Sequence, residues 1–382
     1  YKVEYIPGVG TRRVDTDTLG GVTISEINNN GTRKVSYPDG TVAIMVEGPD
    51  PRPGIGMQSP ITREFTITTP GGLTSRITRE RSLEFAGEDS SKLFNIRKIT
   101  DTFNNNGKIH STTYDLDTTK QKIVVSDLTP EGRQRVNTLD WHGRITEAAA
   151  AGLESTNYSY DEQGRLSSVQ QGGQHISYYY DAMNRLIGLE DAGGDRFNYS
   201  YNDADVLTSI SMPGGQTYAF GSDYNGNVTG ITMPSEAVHQ LAYTVIDQPE
   251  SYTPPGNAPY LRSYDKDGAL TQVKLPDGRA VNYSYDEGGR ITGMEYDEAI
   301  SIFGFIDATD RVGSITRDPD GNGSILSYAY DGALITQMSV SSSDQLIGNY
   351  SYRYDDDFKL IGLTLDGAPE LTLAYDNDGL LT

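Results

Sequence analysis

Apolar and polar residues along this chain alternate on a short period. Rings recur two positions apart, at Tyr158 and Tyr160, Tyr178 and Tyr180, Tyr199 and Tyr201, Tyr283 and Tyr285, Tyr328 and Tyr330, and Tyr352 and Tyr354. Side chains two apart share one face of a strand, so each pair predicts a β-strand that presents its rings to one surface of a sheet. Asp161, Asp181, Asp286, Asp331 or Asp355 follows directly. An Asp carboxylate accepts N–H bonds from residues just ahead of it and so starts a turn. Three positions on, Gly164, Asn184 or Gly289 permits positive φ at the turn exit. Arg165, Arg185 or Arg290 comes next, and Leu166, Leu186 or Ile291 opens a returning strand. Another aliphatic lies three further on, at Val169, Leu189 or Met294, which breaks clean alternation and implies either a β-bulge or a partly covered second face. A loop such as "QGGQ", "MPGGQ" or "LPDGR" closes the unit. Two strands of about six residues and two turns make a β-hairpin of about 20 residues.

The unit recurs. With the ring as origin, copies fall at Leu139, Tyr160, Tyr180, Tyr201, Tyr224, Tyr243, Tyr264, Tyr285, Ile306, Tyr330, Tyr354 and Tyr375, in steps of 19 to 24 residues. Leu139 and Ile306 replace the ring in "LDWHGRI" and "IDATDRV". Tyr243 keeps the spacing without the Asp turn, whereas Tyr264–Asp265 and Tyr375–Asp376 keep both. So steady a period is the mark of a repeat architecture, in which hairpins too small to stand alone bury a continuous sheet by stacking. The predicted fold is all-β, an array of antiparallel hairpins. Stacked copies would set Tyr over Tyr, each ring contact adding about 0.5–1.5 kcal/mol beyond area burial. On this reading Arg is a solvated or Asp-paired stem.

Residues 1–138 carry looser versions of the unit, including "SYPDGTVAIMVEG", "DTFNNNGKI" and "SDLTPEGRQRV", and residues 139–382 carry the regular ones, continuing the same sheet. "EGPDPRPGIG" (47–56) is the most loop-like stretch and reads as an insertion or a subdomain boundary. Only "ITEAAAAGLE" has helical character, and it is too short to define an α domain.

Composition agrees with β structure: 26 Tyr, 42 Gly and 17 Pro among 382 residues, against one Trp. The net charge of −22, spread along the chain, opposes binding to nucleic acid or anionic membranes, which requires clustered Lys and Arg. With no cysteine there are no disulfides and no thiolate metal sites. No apolar run approaches the ~20 residues of a membrane helix, so no membrane insertion is expected. The chain starts at Tyr1 with no signal-peptide pattern and stops inside another motif copy, "AYDNDGLLT", so both ends read as cut from something longer.

Reiterated "YDEQGRL", "YDAMNRL", "YDEGGRI" and "YDNDGLL" on a period near 21 resemble the YD repeat, or RHS repeat, of bacterial RHS and wall-associated proteins, of the BC component of Tc insecticidal toxins and of animal teneurins. The resemblance runs from about Leu139 to the end, and residues 1–138 resemble the looser upstream repeats of such proteins. It implies a long sheet of hairpins spiralling into a curved, hollow, barrel-like shell. In toxin-related members that shell encloses a polypeptide, and other members are associated with carbohydrate binding and surface adhesion. The core segment that closes many such shells, and in some cuts off the cargo, has no counterpart here.

Catalytic patterns are thin. Carboxylates occur throughout, as in Asp355, Asp356 and Asp357, and discriminate nothing. His110, His142, His175 and His239 fall in unrelated positions, with no HExxH, GxSxG or Walker loop. No catalytic residue and no cofactor is assigned. In "DPDGNGSI", Asp318, Asp320, Asn322 and the Ser324 carbonyl occupy positions 1, 3, 5 and 7 of a calcium loop, with Gly323 at 6 and Ile325 at 8. Position 12 is Ala329 where such a loop needs Glu, and the competing reading is a polar hairpin loop. Exposed Tyr rows are also suited to stacking on sugars. Three functions therefore stand in order. The first is a non-catalytic structural shell of a large secreted or surface bacterial protein, whose partners are enclosed or neighbouring segments of the same polypeptide. The second is a carbohydrate-binding adhesion module contacting glycans or a cell-surface protein. The third is a β-repeat polysaccharide-degrading enzyme.

Overall fold

A computed structural model describes residues 1–8, 10–297, 299–306, 309–318, 323–342 and 345–382. Among these the chain forms 33 strands, and its one helical element is a 3-10 turn at Leu93–Asn95. "ITEAAAAGLE" is not helical: Ile145–Ala150 is a strand whose backbone pairs antiparallel with the next, Glu147 opposite Asn157 and Ala148 opposite Thr156. Neighbouring context overrides the helical preference of the Ala run.

Two compact units are resolved. One consists of 1–144, 285–292 and 301–382, the other of 145–284 and 293–300. In the second unit, strands of five to seven residues pair antiparallel with their sequence neighbours from Glu147 to Lys274 and on to Ala280. In the first, hairpins are longer between Val42 and Asp117, with strands at Gly56–Thr68 and Thr74–Phe85, and the 21-residue ruler fails there. The strands still pair in sequence order from Lys2 to Asp140 and again from Ser301 to Thr372.

The spacing-of-three feature is a β-bulge. Ser159 faces Ser168 while Tyr160 faces Leu166, so the returning strand carries one extra residue, Ser167, beside the motif ring. The same shift occurs at Tyr180, Tyr201, Tyr264, Tyr330 and Tyr354.

That bulge corrects two positions. The residue equivalent to the motif Tyr at 224 is Ser222, which faces Val228 at the bulge, with Asp223 starting the turn, and Tyr224 projects fully into solvent. The origin therefore steps 201, 222, 243, 264, 285, at 21 residues each time. Likewise the bulged residue near 306 is Phe305, facing Val312, so this copy keeps its ring and carries a longer turn from Ile306 to Arg311.

Ordinary hydrophobic core is scarce. Ala43, Ile61 and Ile96 are the buried hydrophobic residues among those described, and no large side chain is completely enclosed. "EGPDPRPGIG" does not divide the two units but forms the tip of one hairpin, joining Val42–Asp50 to Gly56–Thr68. It is fastened by the buried carboxylate of Asp50, which accepts 2.9 Å and 2.7 Å bonds from the Arg52 guanidinium and a 3.0 Å bond from Arg81. Arg81 also grips buried Asp101 with two bonds of 2.8 Å, and Arg79 adds a third at 2.6 Å. Burial by itself would raise the Asp101 pKa, but Arg81 and Arg79 outweigh it and hold the carboxyl below its ordinary range.

Candidate functional site

The reiterated motif supplies the candidate site. In one copy, Asp161 Oδ1 accepts N–H bonds from Gln163 (3.0 Å) and Arg165 (2.9 Å), while Oδ2 accepts the Arg165 Nε–H at 2.7 Å. Asp181 repeats the pattern with Met183, Arg185 and the Arg185 side chain at 2.8, 2.9 and 2.7 Å, and Asp286 with Gly288, Arg290 and its side chain at 2.9, 3.0 and 2.7 Å. Positive φ at the exit, 82° at Gly164, 67° at Asn184 and 81° at Gly289, lets the chain reverse under the carboxylate. Substitutes serve where Asp is missing: Asn202 Oδ1 accepts from Ala204 and Val206, and Thr244 Oγ1 accepts from Gln248 at 3.1 Å. The copy at Tyr243 is therefore a working turn.

Each bracket reaches the next. Arg165 Nη1 donates to Asn184 Oδ1 at 2.8 Å, and Arg185 Nη1 donates to the Asn202 carbonyl at 3.0 Å and to Asp205 at 2.8 Å. The same guanidiniums cover the next motif ring, with Arg165 4.5 Å from the Tyr180 centroid, Arg185 5.0 Å from Tyr201 and Arg290 4.1 Å from Phe305. In return the phenols donate backwards. Tyr160 O–H meets the Ile145 carbonyl at 2.7 Å, Tyr180 that of Leu166 at 2.9 Å and Tyr201 that of Leu186 at 2.8 Å. Tyr264, Tyr330, Tyr354 and Tyr375 bond Pro249, Val312, Ile335 and Leu360 at 2.7 to 2.9 Å.

The expected Tyr-over-Tyr ladder is thus corrected. Where the preceding copy has Arg, the guanidinium covers the motif ring, as at Tyr180, Tyr201 and Phe305, and ring stacking is found elsewhere, as at Tyr252 and Tyr260, 5.9 Å apart. The reason is geometric, because the Asp-paired guanidinium already lies over the face that a neighbouring ring would need.

A second set of contacts lies within the first unit. The turn after the second strand meets the turn after the twenty-fifth, where a Cβ on Gly288 would come 2.8 Å from the Leu19 side chain. The turn after the fourth strand meets that after the twenty-seventh, through Asp39 and Arg311. The sixth meets the twenty-ninth, where Asp331 accepts the Thr69 hydroxyl at 2.6 Å and the Gly71 N–H at 2.5 Å. The eighth meets the thirty-first, where Asp357 pairs with Lys108 and Asn106, while Asp356 reaches back to the turn after the sixth and accepts the Thr74 N–H at 3.0 Å. Beyond the thirty-third strand, Asp376 accepts from Arg133 at 2.7 Å and Asp378 from the Glu131 N–H at 2.9 Å, the Thr129 hydroxyl at 2.7 Å and Arg133. The main pairs are offset by 23 strands each, and the Asp356–Thr74 bond, to the neighbouring turn, spans 25. In a ribbon of sequential hairpins, turns alternate between the two edges, so an odd offset joins one edge to the opposite edge.

The sequence signal for this seam lay in departures from the motif. The residue four after Asp331 is Ile335 and that after Asp376 is Leu380, so neither Asp has the usual Arg, and each has oxygen free to reach across.

The other candidates do not converge. His110 stacks on Phe103 at 4.8 Å, His142 is exposed beside Asp140, His175 bonds Ser177 and His239 bonds Tyr252. Of the calcium-loop residues, Asp320 and Asn322 lie outside the described residues; Asp318 sits 3.5 Å from Arg317, and Ser324 begins the strand paired with Leu334–Ser342. No grouping of three metal-ligating side chains occurs among the described residues. No helix there is long and apolar enough to cross a membrane, which leaves β-barrel insertion unaddressed.

The family model described as teneurin YD-shell matches residues 13–382. The chain belongs to the teneurin YD-shell family. Its brackets are the YD motifs of that family, and its role is structural, a β-repeat shell component. Similar solved structures include TcdB2-TccC3-TEV (13% identity, 97% of this chain, 26% of that chain, TM-score 0.45). TcdB2-TccC3 without its hypervariable C-terminal region is also similar (12%, 97%, 27%, 0.44), as is the Photorhabdus luminescens Tc holotoxin pore with a TccC3 mutation (12%, 98%, 26%, 0.39). This YD-shell chain spans about a quarter of the length of those chains. No curated protein sequence matches it.

The bracket also fixes how stability follows pH. For Asp181 and Asp286, the N–H four residues ahead lowers the pKa most, burial opposes it and the Arg side chain adds to the lowering. For Asp161 burial is the largest influence and raises the pKa, but the Arg165 N–H and side chain outweigh it. Burial raises the pKa of Tyr180. A depressed carboxyl contributes stability above the unfolded Asp value of about 4, lost as pH falls through the lower folded value. A raised phenol contributes below about 10, lost as pH rises through the higher folded value. Urea midpoints are expected to be level from about pH 5 to pH 9 and to fall on both sides; a step between pH 6 and 8 would assign control to the histidines instead.

Proposed function

We propose that this chain is a non-catalytic wall that encloses or presents a polypeptide, as part of a large secreted or surface bacterial protein. The observation that carries the reading is that in the regular copies the polar groups of the YD motif are taken up by the turn and by the next hairpin: both Asp oxygens, the Arg fork and the Tyr hydroxyl. A carboxylate held ionised by two N–H groups and a guanidinium is poorly placed to exchange protons near neutral pH, which disfavours the enzyme reading. Membership of a family described as a shell adds support. The test is a flexible, protease-sensitive polypeptide fused after Thr382. Enclosure predicts cleavage at least about tenfold slower than for the same polypeptide free; equal rates would refute it.

One feature favours sugar recognition as a second role. His239, Tyr252 and Tyr260 form a stacked row, with centroids 5.8 and 5.9 Å apart, and Tyr260 borders a groove with Pro254, Asn257, Pro276, Asp277 and Arg279. A planar ring beside amide and ion-pair hydrogen-bonding groups suits a pyranose. Screening on a glycan array should give binding that Tyr260→Ala abolishes; binding unchanged by the substitution would remove the groove from consideration.

A further inference from the structure

Two kinds of join hold the first unit together, and they differ in strength. Along each ribbon, strands are tied by ladders of backbone hydrogen bonds, as between Thr74–Phe85 and Ile96–Asn105 or between Ser324–Asp331 and Leu334–Ser342. Across the seam no backbone–backbone hydrogen bond occurs among the described residues. The hydrogen bonds that cross it have a side chain on at least one end, most often a carboxylate of the later ribbon facing a turn N–H, a hydroxyl or a cation of the earlier one.

We propose that this seam is a latch, the line along which the fold opens while every strand stays paired. Separating the edges breaks bonds to turns that water can solvate, whereas opening anywhere else unpairs whole strands. Local openings follow the joins with the least buried surface and the most exposed hydrogen bonds. The latch closes in register because an odd offset, 23 for the main pairs, sets each turn against its main partner. It is also graded: the turns at Leu19 and Gly288 carry no ion pair to each other among the described residues, while Arg133, Asp376 and Asp378 form an ion-paired cluster at the other end. Opening is expected to start at the Leu19 end. The proposal concerns the seam alone and holds whether or not the shell encloses anything.

Amide hydrogen exchange on the full chain, read by mass spectrometry, tests it. The turns at 69–74 and 129–133 should exchange faster than the strands flanking them. The double variant Arg133→Gln, Arg311→Gln should speed those turns at least about tenfold without changing the strands. A cysteine pair, Leu19→Cys with Gly288→Cys, gives the converse, since the chain has no other cysteine and a Gly288 Cβ would lie 3.1 Å from Leu19 Cγ. It should cross-link on oxidation and slow the same turns. The proposal is overturned if turns and strands exchange together in both forms, if the Arg variant leaves the turns unchanged, or if the cysteine pair fails to cross-link.

Discussion

The structure depends on one carboxylate doing two things. In each regular copy, one Asp oxygen closes its own turn by accepting two backbone N–H groups, and the other orients an Arg. Once oriented, the Arg lies over the next motif ring and reaches the next turn, while that ring's hydroxyl returns to a backbone carbonyl behind it. Local turn chemistry and the joining of neighbouring hairpins are therefore a single network. A thin sheet with almost no fully buried side chains needs such a network, since burial supplies less of its cohesion than in a layered domain.

The network has a direction. Regular motif turns follow odd-numbered strands and so lie on one edge of the ribbon, while Gly- and Pro-rich loops take the other. In the first unit, the later motif edge rests on the loop edge of the earlier strands, and the carboxylates that lack an Arg of their own form that contact. Variation in the motif thus affects the seam: the copies at Asp331 and Asp376, which lack the Arg, turn their carboxylates across it, while the copy at Arg311 reaches across with the Arg itself.

Much of this was legible in the chain. Tyr158 and Tyr160, Asp161, Gly164 and Arg165 announce strand, turn and return because each acts on residues within four positions of itself. Two kinds of feature escaped. Positions slipped where a ring competed with the turn for the role of marker: Tyr224 stands one residue past Asp223, and Ile306 one past Phe305, yet N–H acceptance and the bulge set the register. Contacts set by distance along the ribbon were also hidden, since nothing local in Thr69 or Lys108 points to Asp331 or Asp357. The occupant of each ring face belongs here too, because a two-residue period cannot tell whether a ring or a guanidinium covers it.

The central claim is that the motif Arg couples one hairpin to the next. A double-mutant cycle in urea unfolding, with Arg165→Met and Tyr180→Leu, measures it directly. The account predicts that the pair is non-additive, with a coupling of about 0.5–1 kcal/mol favouring the native contact. Strict additivity of the two substitutions would contradict it.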